Sequence, residues 1–169
     1  MNKTAFLTFS GVIMLLLMSF TSVQAQTKVE IGKAAPGFEL QASDGKTYKL
    51  SDFKGNLVVL DFWAMWCGPC KKKMPKIQEL KDKYGDKGVE VISLLTMNAG
   101  AEERAENYFK EKGYSLKLLF GDNELVKNYD LKFLPTVTVI DKKGVVLYHS
   151  TTFNPNEYED IVKLIHANK

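Results

Sequence analysis

Residues 57–63 are almost continuously apolar, broken only by Asp61. A run of that kind predicts a strand covered on both faces. Residues 89–95 repeat the signal. Between them, residues 71–84 place Ile77, Leu80 and Tyr84 at helical spacing on one face. Pro75 falls inside this helix and is expected to kink it. Strand, helix and strand at this spacing form a βαβ unit, so the two strands are expected to be parallel. Upstream, residues 38–41 and 47–50 alternate around Ser43-Asp44-Gly45-Lys46, the pattern of a β-hairpin. Residues 26–35 read as a loosely held lead-in, and residues 51–56 as a loop or short helical turn. Downstream, residues 101–112 form an amphipathic helix ended by Gly113. A short strand at 116–120 and a short helix at 124–129 follow. Residues 137–140 and 145–149 flank Asp141-Lys142-Lys143-Gly144, an antiparallel hairpin. Residues 156–167 close the chain as a helix with Ile161, Leu164 and Ile165 inward.

The first 25 residues follow a different logic. Lys3 supplies a positive start, residues 5–20 are uncharged and mostly apolar, and Val23-Gln24-Ala25 offers small residues where a signal peptidase reads. This is the pattern of a secretory signal peptide cleaved after Ala25, leaving 26–169 as one domain. The alternative is an uncleaved anchor formed by residues 5–20, holding the domain outside the cytoplasm. Composition adds little to this picture. Over 169 residues, 45% are hydrophobic, enough for a packed core. A formal net charge of +3, with no Arg-rich run, argues against nucleic acid as a partner. Lys71-Lys72-Lys73 is the densest basic run and reads as a solvated helix face. No Cys/His cluster has zinc spacing. His149 and His166 read as ordinary surface or half-buried residues, and Tyr108 and Phe109 as helix core. Trp63 reads as core and Trp66 as a contact residue.

The two cysteines carry the chemistry. Cys67 and Cys70 are the only ones in the chain and stand two residues apart in Trp66-Cys67-Gly68-Pro69-Cys70. A structural disulfide gains stability mainly by closing a long loop, and this one closes almost none. Placed where a strand runs into a helix, the pair meets free backbone N–H groups and a helix dipole, both of which stabilise a thiolate. The thiolate is the attacking form, so the spacing and its setting point to a dithiol/disulfide catalyst. Its redox group is the Cys67–Cys70 disulfide itself, with no separate cofactor.

The run from Asp61 to Cys70, Asp-Phe-Trp-Ala-Met-Trp-Cys-Gly-Pro-Cys, resembles the active-site segment of thioredoxins. Pro75 stands where thioredoxins carry a helix proline, and Leu134-Pro135-Thr136 resembles their cis-proline loop. Gly32 to Phe38, Asp44-Gly45-Lys46 and Leu50 to Gly55 are similar to exported thioredoxin-like proteins of the TlpA/ResA type. The helix and strand between about 97 and 121 would be the central insertion of that group. The resemblance implies an α/β thioredoxin fold, a mixed central sheet flanked by helices, with an N-terminal β-hairpin. It implies a protein-disulfide reductase in which Cys67 attacks and Cys70 resolves the mixed disulfide. Asp61 would help to deprotonate Cys70. Trp66, Gly68 and Pro69 would shape the site, and Pro135 would lie against the disulfide, leaving the backbone of Leu134 to pair with an extended substrate. Partners would be protein disulfides, with apocytochrome c a plausible client during cytochrome c maturation, and a membrane or exported thiol protein as electron donor. The protein would be an exported, periplasmic monomer.

Two positions depart from the pattern. Lys73 stands where ResA-like proteins often carry glutamate, and is expected to make the site more cationic and favour thiolate at Cys67. The lysine that thioredoxins place near the buried acid, on the following strand, is Ser93 here. Other functions fit less well. A disulfide oxidase or isomerase would use the same dithiol at a different potential. Peroxiredoxins share the fold but want Thr or Ser three residues before the attacking cysteine, where this chain has Ala64. Two thiolates could hold Cu(I), but exported copper chaperones of this fold space their cysteines by three and add a histidine.

Overall fold

The computed structural model describes residues 28–152 and 154–168. The signal-peptide reading of residues 1–25 therefore lies outside the described residues. Strand β3 (Leu57–Trp63) has all seven residues buried. It sits at the centre of a five-stranded sheet, order β5-β4-β3-β6-β7. Its parallel neighbour is β4 (Val89–Leu95), and its antiparallel neighbour is β6 (Thr136–Ile140). Strand β5 (Lys117–Phe120) lies parallel to β4, and β7 (Val146–Ser150) antiparallel to β6. The expected α/β architecture is present, as is the separate hairpin of β1 (Glu39–Gln41) and β2 (Thr47–Lys49).

Side chains alternate across β3, and the core divides accordingly. Leu57, Val59 and Trp63 belong to one cluster, with both cysteines, Met74, Ile77, Leu80 and Ile161. Val58, Leu60 and Phe62 belong to the other, with Leu40, Phe53, Leu125 and Tyr129. The first face is covered by α1 (Gly68–Tyr84), α2 (Glu102–Lys112) and α4 (Glu157–Ala167). The second is covered by α3 (Asn123–Asn128), the hairpin and the 3-10 turn Leu50–Phe53. Period two places Asp61 on the first face, among Trp63 and the cysteines.

Two features differ from expectation for physical reasons. Helix α1 begins at Gly68 rather than 71, because Cys67 caps it and Pro69 occupies the first turn, where a missing N–H costs nothing. It continues through Pro75 to Tyr84. The lead-in is not loose over its described part. Gly32 N–H donates to the Val146 carbonyl at 2.8 Å, Val146 N–H donates to Lys33 at 2.9 Å, and Ala34 bridges Val145. On the opposite edge, Ser43 N–H donates to Leu118 and Ala42 bridges Leu119. The N-terminal segment thus blunts both edges of the sheet, which otherwise invite pairing with another chain. Among the described residues, no helix is long and apolar enough to cross a membrane.

Candidate active site

The end of β3 delivers the cysteines. After Trp63 the chain turns through Ala64-Met65-Trp66, and Cys67 N–H donates to the Ala64 carbonyl at 3.0 Å. That turn sets Cys67 at the N-cap of α1, where its Sγ accepts the Cys70 N–H at 3.2 Å. The two are joined as a disulfide, with Cα atoms 5.3 Å apart. A sulfur that accepts a helix-terminal N–H is one whose negative charge that N–H would stabilise. Cys70 is fully enclosed. Cys67 shows only 3% of its surface. Attack on it is confined to one edge, bounded by exposed Gly68 and Pro69.

The surrounding rim is apolar. Trp66 is 61% exposed and Phe133 is 66% exposed, with Met97 also at the surface. Two hydrogen bonds clip the cysteine loop to the loop after β4: the Trp66 indole N–H donates to the Met97 carbonyl at 3.1 Å, and Met65 N–H donates to Asn98 Oδ1 at 2.7 Å. Met97 meets the indole with φ of 54°, a left-handed conformation uncommon outside glycine. On the other side, the Leu134-Pro135 peptide is cis, as expected. Thr136 pairs with Phe62 in the β3–β6 register, so Leu134 and Pro135 fall beside the end of β3 where the cysteine loop starts. Leu134 packs partly against the cluster that holds both cysteines. Trp63 is core, stacked on Phe109 with ring centroids 5.5 Å apart.

Asp61 brings the largest surprise. It is fully buried, opposite Ser93 on β4 and Val137 on β6. Neither neighbour supplies a charge. Lys73 does, from α1: its ammonium lies 2.9 Å from Asp61 Oδ1 and 3.1 Å from Glu157 Oε2 at the start of α4. The Lys73 side chain is only 8% exposed. It is therefore not part of a solvated face, and its charge is not spent on Cys67. It is taken up by two carboxylates. Burial alone would lower the Lys73 pKa, but Asp61 and Glu157 more than offset this and hold it above the ordinary lysine value. Burial raises Glu157 above the usual carboxylate range, with Lys73 opposing and Asp61 and Asp160 reinforcing.

A groove of about 460 Å³ opens between α1 and α4 beside the disulfide, with Pro69, Lys72, Lys76, Pro155 and Tyr158 among its lining residues. Lys73 and Glu157 also line it. The structure thus brings together Cys67, Cys70, Trp66, Gly68, Pro69, Leu134 and Pro135 around one edge, with Asp61 beneath. The sequence motifs do not reach Glu157, and Lys73 lies buried between two carboxylates rather than on a solvated face. Among the described residues, no group of three or more His, Cys, Asp or Glu could hold a metal.

Known proteins are similar to this chain along most of its length. The redoxin family model matches residues 30–165. The chain is 41% identical over 152 residues to thiol-disulfide oxidoreductase ResA of Bacillus thuringiensis subsp. konkukian, covering 83% of this chain and 85% of that protein. To ResA of Bacillus cereus it is 42% identical over 148 residues, covering 80% and 83%. A crystal structure from Chlorobium tepidum, assigned as thiol:disulfide interchange protein DsbE, superposes with a TM-score of 0.74 at 32% identity, over 83% of this chain and 99% of that one. A disulfide capping a helix at the centre of a thioredoxin-like sheet, in a chain so similar to these enzymes along most of its length, places it in the redoxin family, among the ResA-type thiol–disulfide oxidoreductases.

Proposed function

We propose that the protein is an exported reductase of protein disulfides, fed with electrons by a membrane-bound or exported thiol donor. The observation that carries this reading is the division of labour within the Cys67–Cys70 pair. Cys67 caps α1 and keeps one edge at the surface, while Cys70 is enclosed one turn deeper. The reduced Cys67 thiolate attacks a substrate disulfide, and one substrate sulfur leaves. Cys70 then loses its proton to Asp61 and attacks Cys67 Sγ, releasing the second substrate sulfur and restoring the enzyme disulfide. Two electrons pass to the substrate, and each leaving thiolate takes up one proton. The apolar rim of Trp66 and Phe133 suits an extended, unfolded segment, and Leu134 and Pro135 sit where its backbone would pair. Apocytochrome c before haem attachment is such a client. Residues 1–25 would direct export, and a mature N-terminus at Gln26, read by mass spectrometry of secreted protein, tests that part.

The reduction potential of the Cys67–Cys70 pair, equilibrated in a glutathione or dithiothreitol buffer, tests the direction. A value near ~−270 mV supports the reductase, whereas one near ~−120 mV would make the protein an oxidant. Cys70→Ser is expected to accumulate a mixed disulfide with a peptide substrate through Cys67, seen as an added mass. Cys67→Ser is expected to form none.

A further inference from the structure

We infer that Lys73 and Glu157 form, with Asp61, one buried proton-holding unit, in which Glu157 is a positioning residue that sets the basicity of Asp61 through their shared ammonium. The inference rests on the role given above to Asp61 as acceptor of the Cys70 proton.

Three observations carry it. The first is geometry: one ammonium lies within 3.1 Å of two carboxylates from two different elements, β3 and α4. The second is charge. With all three groups ionised, the cluster carries one uncompensated negative charge in the protein interior. Low dielectric makes such a charge costly, so the two carboxylates compete for one cation and for one proton. The third is access: Lys73 and Glu157 both line the groove beside Pro69, so a proton held by the cluster can reach water without passing the disulfide edge.

The groups around the cluster come from four elements. Lys72 and Lys76 stand on α1, and Tyr158 and Asp160 on α4, while β4 and β6 contribute the uncharged Ser93 and Val137. During turnover the Cys70 S–H bond breaks, its proton goes to Asp61, and its electron pair forms the bond to Cys67 Sγ. Glu157 shares the Lys73 ammonium with Asp61, so Asp61 does not hold that cation alone.

Stopped-flow reaction of the fully reduced protein with dithiobis(nitrobenzoate) separates the two thiol steps. Attack by Cys67 releases the first nitrothiobenzoate, and resolution by Cys70 releases the second. The rate of the second release is measured against pH. Glu157→Gln removes an anion and leaves Lys73 wholly to Asp61, so the rising limb is expected to move to lower pH by about one unit. Lys73→Met removes the cation, so the same limb is expected to move to higher pH. In an Asp61→Asn background, Glu157→Gln is expected to move nothing further. An unmoved limb in Glu157→Gln that folds like wild type would overturn the inference. So would a shift that persists in the Asp61→Asn background, because Glu157 would then act on Cys70 directly. If Asp61→Asn alone leaves the second release unchanged, the acceptor role of Asp61 fails, and this inference with it. Should Lys73→Met not fold, the two Glu157→Gln comparisons still decide.

Discussion

Lys73 is the residue on which most of the site's electrostatics turns. Among the described residues it is the one ion-pair partner of Asp61, and it also pairs Glu157. Removing one member of a buried charged cluster leaves the others uncompensated, at a typical cost of about 3–5 kcal/mol. Lys73→Met should therefore lower the urea midpoint of unfolding by a corresponding amount, whereas exposed Lys72→Met should change it little. The pH dependence follows from the direction of the Lys73 shift. Its pKa lies above 10.5 in the folded state. A group bound more tightly to its proton when folded contributes stability that is complete below its unfolded value and is lost as pH rises through the folded value. On the alkaline side, the stability gap between wild type and Lys73→Met should thus narrow only above about pH 10.5; a gap that closes as pH rises through neutrality would contradict the ion-pair account. Glu157, shifted in the same upward direction from 4.5, loses its contribution as pH rises from that value through its folded one. Both charges could have been found in the sequence. Lys73 falls on the stripe of Cys70, Ile77 and Leu80, and Glu157 on that of Ile161 and Ile165. A charge on an apolar stripe needs an opposite charge facing it. What the sequence does not carry is their meeting, since the two stand far apart along the chain.

Among the elements, the strands were the most readable, because β3 and β4 are buried on both faces and leave no polar alternation to misread. The βαβ unit, its parallel pairing and the β6–β7 hairpin follow from spacing and turn residues. The loop after β4 was not readable. Nothing local announces that Met97 takes a left-handed conformation or that Asn98 reaches back to Met65, because both depend on where β3 ends. This loop and the cysteine loop hold each other. Asn98→Ala removes the acceptor for the Met65 N–H, at a cost of about 1 kcal/mol. The larger effect is expected locally. Hydrogen exchange at the Met65 amide should accelerate, and Trp66 fluorescence should report a freer indole, while exchange in the middle of β3 stays slow. Equal acceleration throughout β3 would mean that the loop bond supports the whole sheet rather than the rim. A second close fit lies at Gly121, where an added Cβ would come within 2.7 Å of Leu125 Cδ2 and Thr96 Cγ2. Gly121→Ala should cost about 1–3 kcal/mol by forcing α3 away from the end of β4.

For the molecule as a whole, the question is which redox form the fold prefers. The N-terminus of α1 stabilises a Cys67 thiolate and so favours the reduced state. Against it stand the complete burial of Cys70 and the uncompensated carboxylate of the Asp61–Lys73–Glu157 cluster, both of which disfavour negative charge on sulfur. The cation that might have tipped the balance toward thiolate, Lys73, is already engaged by those carboxylates. On the proposed reading the two opposing terms outweigh the helix terminus, which would favour the disulfide and make the reduced protein a donor of electrons. The consequence is a stability difference. A reductant's disulfide form resists unfolding better than its dithiol form, and a strong oxidant reverses the order. The potentials that separate the two readings differ by ~150 mV, equivalent to about 7 kcal/mol for a two-electron couple. That is far larger than the uncertainty of a denaturant titration. Parallel urea unfolding of the oxidised protein and of protein kept reduced should therefore place the oxidised midpoint clearly higher. A higher midpoint for the reduced form would mean that the helix terminus outweighs the buried cluster, and that the protein inserts disulfides rather than removing them.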